Sequence, residues 1–456
     1  MKFIKENTAI ITAFLLFLLA LFLRTCRLPE FIAYHQDQVR DLYFIKEHFD
    51  ATSFIWLGPK ASVGNFYLAP LWYYLMGVSY LFSHSPTAPA LMVAVLNSAA
   101  TIVLYFFIRR FFDNRTAVIS SLLYAVSPFS IEYSRFAWNP NPIPFFVILA
   151  VYALFIYIYD QNKGNYIYLA VAASNLAFQS HYQGFLLVAA VFVFPLLKRD
   201  WKRFAWSIVF FVVLLAPFLL YEFVNGYPNI SQILSFLGRT THGRSLGVAN
   251  SLRVFTNDYP EFIARVAFFG YKPLGIVASF MTYFIVAKNI FIKTTKENAR
   301  EKTLSLIFFI LLLTLFVYRQ WIVPYYLLVA LIPLIIVMTV AMGKFKPLLI
   351  VLVMANLALS PAFAKTDSSL RFFEKSLDVV RQSRLSENCI YYEISDPDLM
   401  FAPKALEYLA FYQGYRYPKN LFCHETLVFC QKDLCDKING VEQLRSDFLG
   451  VRLIKK

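Results

Sequence analysis

Eleven apolar stretches, with a basic turn at every second connection, restrict this chain more than any other feature. They cover residues 8–24, 88–108, 116–133, 143–159, 165–180, 184–197, 204–224, 273–290, 303–319, 322–342 and 347–363. A soluble domain is about 45–50% apolar and about 25% charged. This chain of 456 residues is 59% hydrophobic and 16% charged. The stretches therefore read as membrane spans, several of them short for a hydrocarbon core of about 30 Å.

The turns set the orientation. Arg109-Arg110 with Arg115, Lys163, Lys198–Arg203, Lys288–Lys302 and Lys344–Lys346 make every second connection basic. The turns near Gln179–Gly184 and Arg319–Trp321 carry little charge. Basic loops stay in the cytoplasm, so the N-terminus is expected inside a plasma membrane. The first stretch lacks a small-residue cleavage site and reads as a retained anchor rather than a signal peptide. Residues 66–82, FYLAPLWYYLMGVSYLF, are apolar enough to span, but counting them would put the basic turns outside. They are expected to lie in the outer interface, where Tyr and Trp concentrate. An odd number of spans then places residues 365–456 outside.

That last region reads as a small α/β domain following a membrane domain of residues 1–364. Its expected order is helix 368–384, strand 389–394, helix 402–412, short strands, and a terminal helix–strand. It holds Cys389, Cys423, Cys430 and Cys435. Four cysteines in a polar, external domain suit two disulfides, in any of three connectivities. Zinc is the weaker alternative, because no C-x2-C pair is present. The net charge of +15 is accounted for by the basic cytoplasmic turns, so nucleic acid is not an expected partner.

Polar groups gather on the outer side. After the first span, Val39, Leu42, Ile45 and Phe49 recur near helical spacing. Asp37, Arg40 and Asp41 share the other face, since residues three or four apart are neighbours on a helix. Two carboxylates and a guanidinium are thus expected to face water at the bilayer edge. Lys60, Glu132, Arg135, His181, Arg239, His242 and Arg319 also fall outside. Polar groups at membrane depth are costly, and their concentration on one side points to a site. Carboxylates serve as general bases, and arginines clamp phosphates. The residues alone imply an anionic lipid ligand.

The order of the motifs resembles a known family, the GT-C membrane glycosyltransferases of the protein-O-mannosyltransferase and aminoarabinose-transferase type. The parts are one span, then Asp37-Gln38-Val39-Arg40, then Pro70-Leu71-Trp72-Tyr73-Tyr74, then Phe107-Ile108-Arg109-Arg110-Phe111-Phe112 after the second span. Ser134-Arg135-Phe136-Ala137-Trp138-Asn139-Pro140-Asn141 falls at the family's second outward loop, and Tyr325-Tyr326 with Pro333 resembles its late span. The family often has Asp-Glu where Asp37-Gln38 stands, and Lys or His before a Pro-Pro-Leu where Leu68-Ala69-Pro70 stands.

The resemblance implies a GT-C fold and an inverting transfer of sugar from a polyprenyl phosphate to an extracytoplasmic acceptor. The lipid-phosphate sugar is a co-substrate, and neither a metal nor a cofactor is called for. Asp37 is the expected base. Arg40, Arg135, Lys60 and Arg239 are the expected phosphate ligands. Asp41, Glu132, His181 and His242 are expected beside the acceptor. A flippase of lipid-linked glycans is the alternative from another class. It should show an internal repeat and paired broken helices, and the sequence displays neither.

Overall fold

The computed structural model describes residues 2–32, 34–61, 64–238, 252–313, 324–342, 346–363, 369–395, 400–418, 423, 425–446 and 449–455. The membrane domain begins with α1 (Lys2–Thr25) and α2 (Gln36–Asp50), followed by α3 (Leu71–Phe82), α4 (Ala88–Phe111), α5 (Asn114–Val126) and the short α6 (Pro128–Glu132). Then come α7 (Ile143–Tyr159), α8 (Tyr166–Ser180), α9 (Phe185–Leu197), α10 (Trp201–Leu214), α11 (Ala216–Val224) and α12 (Pro228–Gly238). It ends with α13 (Tyr259–Ala267), α14 (Lys272–Phe291), α15 (Ala299–Leu312), α16 (Leu328–Ala341) and α17 (Lys346–Ala358).

Within the described residues each expected span holds a helix, but the stretch 116–133 is broken between α5 and α6, and the helices differ in reach. Among the described residues, four are long and apolar enough to cross a bilayer: Asn7–Thr25, Ala88–Phe111, Lys272–Phe291 and Pro324–Ala341. α10 and α11 form a fifth, bent by 69° where Pro217 enters the second segment. The remaining helices are shorter. α7 and α16 are apolar on all sides and accordingly lie inside the bundle. α3 has twelve residues, about 18 Å at 1.5 Å per residue, too short for a core of about 30 Å.

Residues 225–272, which the sequence leaves as an outward loop between the spans 204–224 and 273–290, are partly helical. α12 opens the segment, and a π-helical turn, Val254–Asp258, leads directly into α13. α13 folds back along α14 and buries Phe262, Ile263 and Val266 in the main core. Gly275 of α14 permits this approach, because a β-carbon there would sit 2.2 Å from the Pro260 carbonyl oxygen.

The C-terminal region contains α18 (Ser369–Gln382), β1 (Ile390–Glu393), α19 (Ala402–Tyr412), β2 (Glu425–Gln431), the one-turn α20 (Lys432–Cys435), β3 (Val441–Arg445) and β4 (Leu449–Lys455). The sheet order is β1-β2-β4-β3, with β1 parallel to β2 and the other pairs antiparallel. The chain ends in the β3–β4 hairpin, not the expected helix and strand. Both expected disulfides form, Cys389–Cys423 and Cys430–Cys435.

A second core joins this region to the juxtamembrane helices. Val39, Leu42 and Ile45 of α2 and Trp72 and Met76 of α3 belong to one buried cluster with Leu406 and Leu409 of α19. The Tyr34 hydroxyl donates to the Ala405 carbonyl (3.2 Å), and the Tyr408 hydroxyl donates to the His84 carbonyl (3.1 Å). α2 is thereby fixed from below by α3 and from above by α19.

Candidate active site

α2 starts at a sharp local signal. His35 is extended, and its backbone N–H donates to Gln38 Oε1 (3.2 Å), three residues on. Glu or Gln at this third position closes the N-terminal turn equally well, which accounts for Gln38 where the family often has Glu. Asp37 lies in the first turn, where a carboxylate is favoured by the helix dipole. It does not cap the helix. Its Oδ1 accepts from Arg40 Nη1 (2.7 Å) and its Oδ2 accepts from Trp138 Nε1 (3.1 Å).

Asp41 departs from expectation. It is fully buried rather than facing water. Its Oδ1 accepts from Arg40 Nε (2.8 Å) and the Tyr73 hydroxyl (3.2 Å), and its Oδ2 accepts from Trp72 Nε1 (2.7 Å). Helical spacing puts Asp41 on the polar face, but α3 lays two ring donors over that face. The Pro-Leu-aromatic segment thus acts as a clamp on the acidic motif. Burial pushes the Asp41 carboxyl up to about 6 against the opposing pull of Arg40. Burial alone would lower the Arg40 guanidinium, but Asp41 and Asp37 outweigh it and the net shift is upward.

The result is graded exposure along a single chain of contacts. The side chain of Asp41 is 0% exposed, Arg40 is 37% and Asp37 is 34%. Arg40 is held by its Nε edge and bridges to the half-exposed Asp37. An exposed carboxylate beside an oriented guanidinium can accept a proton and hold an anion within one site.

Aromatic rings extend the site. Trp138 meets the Tyr325 ring edge-on at 4.4 Å, and Tyr325 and Tyr326 lie 5.7 and 5.6 Å from the His181 ring. Burial pulls His181 down to about 4, so it is a neutral imidazole at neutral pH. Its Nδ1 faces the Gln183 backbone N–H (3.4 Å). In the sequence Trp138, like Tyr74, reads as an interfacial aromatic, and Trp72 as part of the interfacial segment 66–82. The two indole donors, the actual link to the carboxylates, are visible only once the chain is folded.

The other expected residues are dispersed. Among the described residues, Asp37 and Arg40 bond to none of Lys60, Glu132 and Arg135. Glu132 pairs with Arg265 (2.9 Å). Arg135 is 2% exposed, donates to the Cys26 carbonyl and stacks on Phe31 with its guanidinium carbon 3.6 Å from the ring centre. Burial lowers it to about 10, so it remains cationic at neutral pH. Lys60 is exposed on a hairpin where it bridges to Tyr67. Arg239, His242 and Arg319 lie outside the described residues. One buried cation was missed altogether. Arg24 donates to the Tyr124 and Ala125 carbonyls (3.3 and 3.2 Å) at the end of α5, and to Ser130 Oγ (2.7 Å).

Comparison with known proteins agrees with this architecture. The structure matches ArnT from Cupriavidus metallidurans in the apo state with a TM-score of 0.58 at 14% identity, covering 98% of this chain and 97% of that one. The chain has the GT-C fold. An Archaeoglobus fulgidus oligosaccharyltransferase, tethered with an acceptor peptide, matches with a TM-score of 0.51 at 14% identity over 92% of this chain and 60% of that one. Residues 68–221 match the model of the dolichyl-phosphate-mannose-protein mannosyltransferase family. An uncharacterized protein of Aquifex aeolicus (strain VF5) is 27% identical over 311 residues, 64% of this chain and 58% of that protein. The chain therefore spans less than two thirds of that relative's length. The GT-C resemblance read from the motif order is borne out, and the membrane setting with it.

Proposed function

We propose that this protein is a membrane glycosyltransferase that moves a sugar from a polyprenyl phosphate to an acceptor hydroxyl outside the membrane, with inversion. The observation that carries the reading is the half-exposed Asp37–Arg40 pair braced by the buried Asp41. The family model that matches residues 68–221 is named for a dolichyl-phosphate sugar donor, which supports the donor class.

In this reading the acceptor hydroxyl hydrogen-bonds to Asp37 Oδ2, beside the Trp138 indole. The hydroxyl oxygen attacks the anomeric carbon as Asp37 takes its proton. The bond from that carbon to the phosphate oxygen breaks, and the electron pair leaves on the phosphate. Arg40 neutralises the leaving phosphate, which is the step where preorganised charge contributes most. Asp41 keeps the Nε edge of Arg40 occupied, so the guanidinium presents its remaining donors to the lipid side. Lys60 supplies a mobile second cation, and Arg135 adds positive potential from behind the Phe31 turn. Arg239 and His242 belong to the same proposal. No metal enters these steps.

The test is direct. Purified protein given a polyprenyl-phosphate sugar releases polyprenyl phosphate, with or without an added acceptor other than water. Lipid movement across a proteoliposome with no such release makes the protein a transporter and ends this reading.

A further inference from the structure

A second set of charges, not bonded to the Asp37–Arg40 pair among the described residues, lies against apolar helices beside the Tyr325-Tyr326 turn. Arg253, Asn257, Glu261 and Arg265 recur every fourth residue through the π turn and α13, and Asp258 sits beside them. That spacing places them on one face. Ile263, Val266 and Ala267 of the same segment are buried in the main core, while Phe262 forms part of the wall of a cleft. The segment is packed along the spans. Tyr283, well inside α14, donates its hydroxyl to the Phe255 carbonyl (2.9 Å). Tyr259 stacks on Tyr283 and meets Phe308 of α15, with ring centres 5.4 and 6.3 Å apart. Ionisable groups among apolar helices are costly and mark a site or a pathway. π turns also occur preferentially at functional sites.

The charged face lines a cleft of about 490 Å³, closed on the far side by Pro324 and Leu327. Sites for small ligands and headgroups occupy about 300–1,000 Å³. The lining is balanced, with two guanidinium groups and two carboxylates. Arg265 Nη2 reaches Glu132, Arg253 Nη2 reaches Asp258 (3.4 Å), and Asn257 Nδ2 donates to Asp258 Oδ1 (2.9 Å). The Glu261 carboxylate is exposed, and no hydrogen bond or ion pair involves it among the described residues. A purely anionic ligand would meet two carboxylates here, and a purely cationic one would meet two guanidiniums. A ligand carrying both signs satisfies the whole lining.

We propose that this cleft binds the headgroup of an amine-bearing phospholipid, a phosphodiester joined to a primary ammonium. The arginines take the phosphate through charge-assisted bonds, and Glu261 and Asp258 take the ammonium. A soluble phosphoethanolamine has the same chemistry. The lipid is favoured by α14, which leads away from the cleft and exposes Leu274, Val277, Phe280 and Phe284 at helical spacing, a track for acyl chains. This site is independent of the transfer reading, and its test reads binding alone.

Delipidated full-length protein in detergent is titrated with phosphatidylethanolamine, phosphatidylglycerol or phosphatidylcholine and read by native mass spectrometry. Phosphatidylethanolamine should bind about tenfold more tightly than either of the others. Glu261→Gln, an isosteric change at an exposed side chain, should abolish that preference while leaving phosphatidylglycerol binding unchanged or stronger. Arg253→Gln should weaken all three lipids, and it reads the same cleft if the first variant does not fold. Equal binding of the three lipids by the unmodified protein overturns the proposal. So does a preference that survives both substitutions. Phosphoethanolamine binding as tightly as the lipid overturns the lipid assignment.

Discussion

Replacing Asp41 by Asn isolates the brace from the reacting pair. The carboxylate accepts from Arg40, Tyr73 and Trp72, with both oxygens in use. An amide has one acceptor oxygen. If that oxygen stays with Arg40, the amide N–H faces the Trp72 N–H, and a charge-assisted bond of about 1.5–3 kcal/mol is lost. A second effect opposes this. Asp41 is held at about 6 by burial against an ordinary value of 3.8, so ionising it in the folded protein costs about 3 kcal/mol at neutral pH. Asparagine removes that cost. The two effects nearly cancel, and the melting temperature should change by only a few degrees.

Activity should not be spared. Arg40 keeps only a neutral acceptor at its Nε edge, is no longer held there by charge and swings toward Asp37, so kcat/KM for the donor should fall about 10–100-fold. The pH profile is the sharper assay. Protonation favours the folded state at Asp41, because its folded pKa is raised. That contribution to stability is therefore full at acid pH and is lost as pH rises through about 6. Activity runs the other way, since only ionised Asp41 anchors Arg40. Polyprenyl phosphate release by the unmodified protein should drop as pH falls through about 6, and Asp41→Asn should lack that limb. An unchanged limb in Asp41→Asn would refute the bracing argument.

Three further outcomes are expected. Trp138→Phe keeps the contact with Tyr325 but removes the indole donor to Asp37; turnover should fall several-fold, with stability held within about 1 kcal/mol, measured by rate and by thermal melting. Loss of the Cys389–Cys423 bond, which closes 34 residues, should destabilise the C-terminal region by roughly 1.5 kcal/mol more than loss of Cys430–Cys435, which closes 5; denaturant unfolding of the two Ser pairs checks this, and non-reduced peptide mapping checks the pairing. Cysteines introduced at Ser85 and Lys456 should both react with an impermeant reagent applied outside intact cells, and protection of Lys456→Cys would contradict the external placement.

What was legible in the sequence was whatever is carried by local pattern. Apolar runs and basic turns gave the long apolar helices, and clustered cysteines gave two bridges without their pairing. Asp41 was misplaced because helical spacing describes one helix in isolation, whereas Trp72 and Tyr73 arrive from 31 and 32 residues away. Trp138 was hidden similarly, its partner Asp37 lying 101 residues back. The segment around α13 was read as a loop because its charges dilute hydropathy. Its signal was nonetheless present, in polar residues at 253, 257, 261 and 265 with mostly apolar residues between them.

The central claim is that Asp37 takes the acceptor proton, and Asp37→Asn tests it most directly. Asparagine keeps the side chain's size and its acceptor oxygen toward Trp138 or Arg40, so the fold and α2 should survive. It cannot take a proton at neutral pH. With purified protein and a polyprenyl-phosphate sugar, turnover should fall about 100-fold or more, within the ~10²–10⁴ range of a general base, while lipid donor binding persists. Arg40→Ala should weaken donor binding as well. Transfer at a near-normal rate by a well-folded Asp37→Asn protein would contradict the account.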